Sequence, residues 1–236
     1  MKVRKRLYLS IACLIFLSAF TILFLTALRY DFFTINQIEI IGAKRVSQRE
    51  ILKRSGLIAG KSMILFFENG VIKEIVKNHW ITNVRIEKEF PKKVIIKVKE
   101  AEPFCIILRD TGDSYYMSEE GKELGRANFK EGLDFPVLIG EGIEKSELVG
   151  EALDILRLSL KSNALNWKEI SEINLDSIYG ITVFTTDSRR IDFGQDNIEK
   201  KWYKVEKIIT NTRRINLTER YININSEKTG VVNFKL

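Results

Sequence analysis

Between Leu7 and Leu28 the chain reads LYLSIACLIFLSAFTILFLTAL, 22 residues without a charge. Wound as a helix, that run is about 33 Å long, roughly the thickness of a bilayer's hydrocarbon core. Lys2, Arg4, Lys5 and Arg6 precede it, Arg29 follows it, and no acid occurs before Asp31. The excess of cations on the amino-terminal side orients that end toward the cytoplasm. A cleaved signal peptide is the rival reading, but it would have a shorter apolar core and a small-x-small cleavage site, which is not evident near the end of the run. The expectation is a cytoplasmic tail over residues 1–6 and a single retained transmembrane helix over 7–28.

That placement also accounts for much of the charge. The 236 residues carry 38 basic and 31 acidic side chains; without the four cations of the tail the balance is 34 to 31. No basic stripe interleaved with aromatics occurs elsewhere, so no nucleic-acid partner is expected. Cys13 lies in the apolar run and Cys105 beyond it, so they cannot pair within one chain, and the exported part must rely on its core. With 45% hydrophobic residues and only three prolines, the remainder suffices for two small domains.

The first domain is expected over 33–101. INQIEIIG reads as a strand closed by Gly42. In VSQREILKRSG, Ser47 and Glu50 have capping-box spacing, Val46 and Ile51 that of a hydrophobic staple, and Gly56 the place of a helix stop. A second helix runs from about Asn69 to Asn78, with Val71, Ile72, Ile75 and Val76 on one face. A hairpin follows, ITNVRIEKEFPKKVIIKVKE, turning at Pro91, with Val94, Ile96 and Val98 alternating. The order β-α-α-β-β predicts an α+β module whose helices cover one face of a small sheet.

Pro103 marks the start of a second domain, 102–236, predicted to be mostly antiparallel β with two helices. FCIILRD, SYYMSEE and KELGRA read as short strands, and FPVLIG as a turn or linker. A helix over about 145–161 carries Leu148, Ala152, Ile155, Leu156 and Leu160. EISEINLD, GITVFTT and RRIDFG alternate as strands. DNIEKKWYKVEKIITN reads as a helix with Asp196 and Glu199 at capping-box spacing and Ile198, Trp202, Val205 and Ile209 as its apolar face. RYININ and VVNF read as two final strands, joined by a turn in which Gly230 is free to take a positive φ.

Lys228-Thr229-Gly230 spells a triplet found in penicillin-binding proteins and class A β-lactamases. That chemistry also needs a Ser-x-x-Lys element, and no serine here has a lysine three residues on; Ser159 and Lys161 are two apart. His79 is the sole histidine and cannot build a His-based zinc site. It reads as a helix-end residue placed to meet the last carbonyls. DFGQDN holds one glycine and matches no phosphate-binding loop. No catalytic residue, cofactor or metal is therefore expected, and the chain reads as a binding or scaffolding protein.

The ordered series IEIIGAKRVSQREILKRSGLIAGKSMILF and HWITNVRIEKEFPKKVIIKVKEAEPF resembles a POTRA domain of the FtsQ/DivIB cell-division family. YYMSEEGKEL, FPVLIG, EISEINLD and RRIDFGQDNIEKKWYKVEKII resemble that family's second domain. The resemblance implies a non-enzymatic protein of the bacterial inner membrane. It would cross the membrane once, with its carboxy-terminal domains in the periplasm, and act at the division septum. Its POTRA domain would meet other division proteins. Its last strand would accept a strand from FtsB in the FtsB–FtsL complex, which assigns partner binding to Ser226, Glu227, Lys228, Thr229, Gly230, Val231, Val232, Asn233 and Phe234. A terminal edge strand suits such pairing physically. Asn223-Ile224-Asn225 stands where the family often has Asp-Leu-Arg. Read from the residues alone, Val231, Val232 and Phe234 are equally core positions of the second domain. An envelope assembly or translocation module with a POTRA domain remains the alternative.

Overall fold

The computed structural model describes residues 2–29, 33–128, 134–226 and 229–234. The chain divides into two compact units, Met1–Glu100 and Ala101–Leu236. Helix α1 (Lys2–Arg29) opens the first unit. Three of its hydroxyls bond to the helix itself: Ser18 donates to the Ile15 carbonyl at 2.9 Å, Thr21 to Leu17 at 2.7 Å and Thr26 to Leu23 at 2.9 Å. Polar groups satisfied by their own helix need no water. Side chains of α1 are described for residues 11–26, and among the described residues no helix is long and apolar enough to cross a membrane.

The rest of this unit is β1 (Gln37–Ile41), α2 (Gln48–Ser55), α3 (Glu68–Val76), β2 (Ile81–Glu89) and β3 (Lys93–Glu100). The strands lie in the order β1-β3-β2, with β3 parallel to β1 and antiparallel to β2. Both helices contribute to one core. Ile51, Val71 and Ile75 join Val84, Val94, Ile96 and Val98, all buried. Opposite-face Ile95 is buried as well, flanked in register by Glu39 and Glu87, which pair with Lys93 and Lys97.

The start of α2 is half of what its spacing predicts. The Ser47 hydroxyl accepts from the Glu50 N–H at 3.2 Å, and Val46 and Ile51 are buried as the staple requires. Glu50 does not reach back. Its carboxylate instead accepts from Arg54 at 3.0 Å and from Asn78 at 2.9 Å. Glu100 supplies the missing acceptor for the preceding turn. Its carboxylate receives the backbone N–H groups of Lys44, Arg45 and Val46 at 2.9–3.1 Å. Gly42 makes this approach possible: at φ 92° a Cβ there would stand 2.1 Å from the Val98 carbonyl oxygen.

The described residues of the second unit form one nine-stranded sheet with two α-helices. In chain order it comprises β4 (Cys105–Leu108), β5 (Ser114–Met117), β6 (Glu123–Arg126), β7 (Val137–Ile139), α4 (Ser146–Leu160), β8 (Ile170–Asp176), β9 (Gly180–Thr185), β10 (Arg190–Gly194), α5 (Ile198–Arg214), β11 (Glu219–Asn223) and β12 (Val231–Phe234). The spatial order is β12-β11-β10-β9-β8-β7-β4-β5-β6. Most neighbours are antiparallel; β4–β7, β7–β8 and β10–β11 are parallel. Leu148, Ala152, Ile155 and Leu156 of α4 and Trp202, Val205 and Ile209 of α5 share a core with Ile173, Leu175, Ile181, Val183, Ile191 and Phe193.

Four local expectations are not met here. FPVLIG is not a turn: Val137–Ile139 is β7, which lies inside the sheet between β4 and β8. Three residues between a proline and a glycine are too few to show alternation, and the pairing comes from distant strands. Leu160, at the last turn of α4, is exposed. Asp196 does not cap α5. The helix is entered through Asp196 and Asn197 at φ 61° and 53°, and its N-cap is Asn197, whose side chain makes no capping bond. Gly230 does not adopt a left-handed φ.

Candidate partner-binding edge

Strand β12 forms one margin of the nine-stranded sheet and pairs only with β11 among the described residues. Its antiparallel register sets Val231 opposite Asn223, Val232 opposite Ile222, Asn233 opposite Tyr221 and Phe234 opposite Glu219. Exposure alternates. Val231 (63% exposed) and Asn233 face solvent, while Val232 and Phe234 are partly buried and Val232 packs against the core. The strand is thus held by one face and one edge, and its other edge presents backbone N–H and C=O groups.

The turn before it is set by its side chains. Ser226 Oγ accepts from the Thr229 N–H at 3.4 Å, and Asn223 Oδ1 accepts from the Asn225 N–H at 3.1 Å. Glu227 and Lys228 lie outside the described residues. Ile224 is buried and its N–H donates to the Asp192 carbonyl at 2.9 Å, so the middle residue of Asn223-Ile224-Asn225 extends the sheet inward. Asn225 lies over Gly194, where a Cβ would come within 2.7 Å of its Oδ1. Between this turn and α5 runs a groove of about 270 Å³ lined by Lys204, Lys207, Ile208, Ile224, Thr229 and Gly230.

Beneath the edge, on the solvent face of the sheet, sits a polar network that the alternation pattern did not reveal. Asp192 accepts from Tyr221 Oη at 2.7 Å, from Thr182 Oγ1 at 3.0 Å and from Arg190 at 2.8 and 3.2 Å. Asn223 Nδ2 donates to the Tyr221 hydroxyl at 2.8 Å. The Arg190 guanidinium lies 5.7 Å from the Tyr221 ring centre and 6.0 Å from that of Phe184. Burial alone would raise the Asp192 carboxyl. The hydrogen bonds from Arg190, Tyr221 and Thr182 outweigh it and hold the pKa below the usual carboxylate value. The only sequence signal was Arg190 and Asp192 two apart in a strand, which places them on one face.

The network continues in register to the edge. Asp192 is opposite Asn223, which is opposite Val231; Arg190 is opposite Tyr221, which is opposite Asn233. At the inner side of the same strands, Arg189 and Glu219 are both buried and approach to 3.3 Å. Glu219 is the partner of Phe234 in the ladder. The pair stands at the start of β11, where the β11–β12 ladder shifts register between Glu219 and Tyr221.

The other residues weighed for chemistry are unremarkable in place. Ser159 is buried and its hydroxyl donates to the Leu156 carbonyl at 2.7 Å. Cys105 is buried, and burial pushes its thiol up to about 12. His79 is exposed, three residues past α3, whose end is closed instead by the Asn78 N–H to the Ile75 carbonyl at 3.1 Å.

A three-stranded sheet backed by two helices, in the order β-α-α-β-β, defines a POTRA-type unit, and residues 33–101 match the family described as "POTRA domain, FtsQ-type". Residues 106–225, half of the chain, match "Cell division protein FtsQ/DivIB, C-terminal". The chain belongs to the FtsQ/DivIB family. A "Cell division protein FtsQ" of Syntrophotalea carbinolica is 28% identical over 86% of this chain and 74% of its own length. Another, from an Anaeromyxobacter species, is 25% identical over 76% of this chain, which spans 63% of that relative. A "Cell division protein DivIB" of Bacillus selenitireducens is 26% identical over 79% of this chain and 70% of its own length. The second family match stops at residue 225, just before the segment 226–234.

Proposed function

We propose that this protein is a non-enzymatic scaffold of the bacterial cell-division machinery. It crosses the inner membrane once through residues 7–28, with residues 1–6 in the cytoplasm and the domains 33–101 and 102–236 in the periplasm at the septum. It binds a complex like FtsB–FtsL by adding a partner strand to β12, so linking early and late division proteins for septum formation. Its POTRA domain meets other components of the same machinery. The observation that carries this reading is the open edge of β12 in a sheet whose family is one of cell-division proteins. An added strand would find free backbone donors and acceptors there, with Val231 and Asn233 beside it for side-chain selectivity. The uncharged run, its basic flank and the three helix-bonded hydroxyls of α1 support the anchor.

Two measurements on the full chain test the reading. A fluorescent fusion is expected as a band at midcell in dividing cells, and an even membrane halo would count against a division role. The detergent-solubilised chain is expected to retain the FtsB–FtsL complex of its own organism, and a chain ending at Asn225 is expected to lose it. Retention by the shortened chain would place the contact elsewhere.

A further inference from the structure

The pole at which the chain enters the sheet of the first unit has an apolar surface. Phe67 is 86% exposed, Leu65 68%, Phe90 60% and Ile64 40%. Topology puts them together. Strand β1 starts opposite the start of β3, at Gln37 and Lys93, so the Phe90-Pro91 turn that joins β2 to β3 lies at the entry pole. The loop before α3 is fastened to the same place. The Met63 N–H donates to the Phe33 carbonyl at 2.8 Å, the Ile35 N–H donates to the Lys61 carbonyl at 2.9 Å, and Thr34 bridges Ser62. The Phe33 and Phe90 rings meet edge to face with centres 6.1 Å apart. Lys88 joins the loop to β2, with its Nζ 4.2 Å from the Phe66 ring centre and 3.0 Å from Glu68.

This surface is therefore tied to Phe33, five residues beyond Leu28, the last residue of the uncharged run. Five residues of extended chain span at most about 18 Å. If α1 is held in a bilayer, the pole cannot move farther than that from the membrane face. Large apolar side chains at loop tips among lysines, here Lys61, Lys88, Lys92 and Lys93, have the composition of a surface that lies in a membrane interface. Of the acids nearby, Glu68 is paired with Lys88, and Glu39 and Glu89 are both paired with Lys93.

We propose that Ile64, Leu65, Phe67 and Phe90 insert at the boundary between headgroups and acyl chains of the bilayer that holds α1, so that the POTRA unit rests on the membrane by its entry pole. This rests on α1 being a membrane anchor. The test uses the full chain reconstituted in phosphatidylethanolamine–phosphatidylglycerol vesicles, with and without bromine on the acyl chains. One variant is Phe67→Trp; the comparison is Ile178→Trp, at a site 75% exposed in the second unit. After subtraction of the native tryptophan signal, the emission added by Phe67→Trp is expected to be blue-shifted and at least halved by brominated lipid. That added by Ile178→Trp is expected to emit as in water without quenching. A water-like, unquenched signal from Phe67→Trp, in protein that resists alkaline carbonate extraction, overturns the inference and leaves the anchor standing. A blue-shifted signal insensitive to bromine also overturns it, because protein rather than lipid then covers the patch. Extraction of the protein by carbonate removes the anchor and the inference together.

Discussion

The Tyr221 hydroxyl donates to the Asp192 carboxylate across 2.7 Å, joining β11 to β10 one strand in from the open edge. A hydrogen bond to a charged acceptor is worth about 1.5–3 kcal/mol. Tyr221→Phe also removes the acceptor of Asn223 Nδ2. The variant is expected to lose about 2 kcal/mol in denaturant unfolding of the chain's second unit, with partner binding weakened through a looser β11–β12 pair. Wild-type stability would show that the network is incidental.

The same carboxylate gives a pH dependence of definite sign. Its folded-state pKa lies below the ordinary value of 3.8, so ionised Asp192 favours the folded state. Its contribution is complete above that value and is lost as pH falls through the lowered folded pKa. Thermal melts from pH 6 downward are expected to show a drop beginning near pH 4, shallower in Asp192→Asn than in wild type. Identical acid slopes would remove Asp192 as a source of the drop.

Along an antiparallel strand, successive N–H groups point alternately to the neighbour and away. Proline at Val232 and at Asn233 therefore removes donors on opposite edges of β12. One variant is expected to melt early, having lost a bond to β11. The other is expected to melt like wild type and to bind the partner at least tenfold more weakly, a loss of about 1.4 kcal/mol or more. If both fold normally and bind at full strength, strand addition is wrong. Phe234→Ala is expected to weaken binding as well, since an aromatic anchor is lost beside the edge.

In the first unit, Glu100→Ala leaves the N–H groups of Lys44, Arg45 and Val46 without their acceptor. A loss of about 1–2 kcal/mol is expected from the lost bonds to a charged acceptor, because water reaches the Lys44 and Arg45 N–H groups and only that of Val46 is partly buried. Urea unfolding of the full chain in detergent should show the transition of the first unit move and that of the second stay.

With its thiol raised to about 12 by burial, Cys105 is expected to resist alkylation at pH 8 in the folded protein and to react once the chain is unfolded. Rapid labelling of Cys105 in native protein, read by mass spectrometry, would contradict the packing around β4.

The legible parts of this chain were those where one local signal agreed with the tertiary demand. Ser47 and Gly56 bound α2 because capping needs only neighbours in sequence, and Val94, Ile96 and Val98 alternate because one face of β3 meets two helices. The open edge at β12 followed from the resemblance and from its place after RYININ. Failures occur where distant groups decide. Glu50 has the spacing to close a capping box, but Arg54 and Asn78 claim its carboxylate. Asp196 has the spacing to cap α5, but the chain enters that helix in a left-handed turn. The network around Asp192 assembles residues from β9, β10 and β11, and no window of sequence contains them all.

Strand β7 is the shortest in the sheet, yet both of its neighbours run parallel to it and one of them, β8, is made some thirty residues later. Order of synthesis thus becomes an issue for the fold. The meander β4-β5-β6 is complete on its own as the chain emerges, but the inner edge of β4, with the sequence CIIL, stays open until β7 arrives, and the far edge of β7, with the sequence VLI, then stays open until β8 is made. For that interval an apolar strand margin faces whatever else is nearby, the condition under which chains pair wrongly. A nascent chain halted between Leu160 and Ile170 would hold that hazard in place, and this makes the interval a natural point for a chaperone to act.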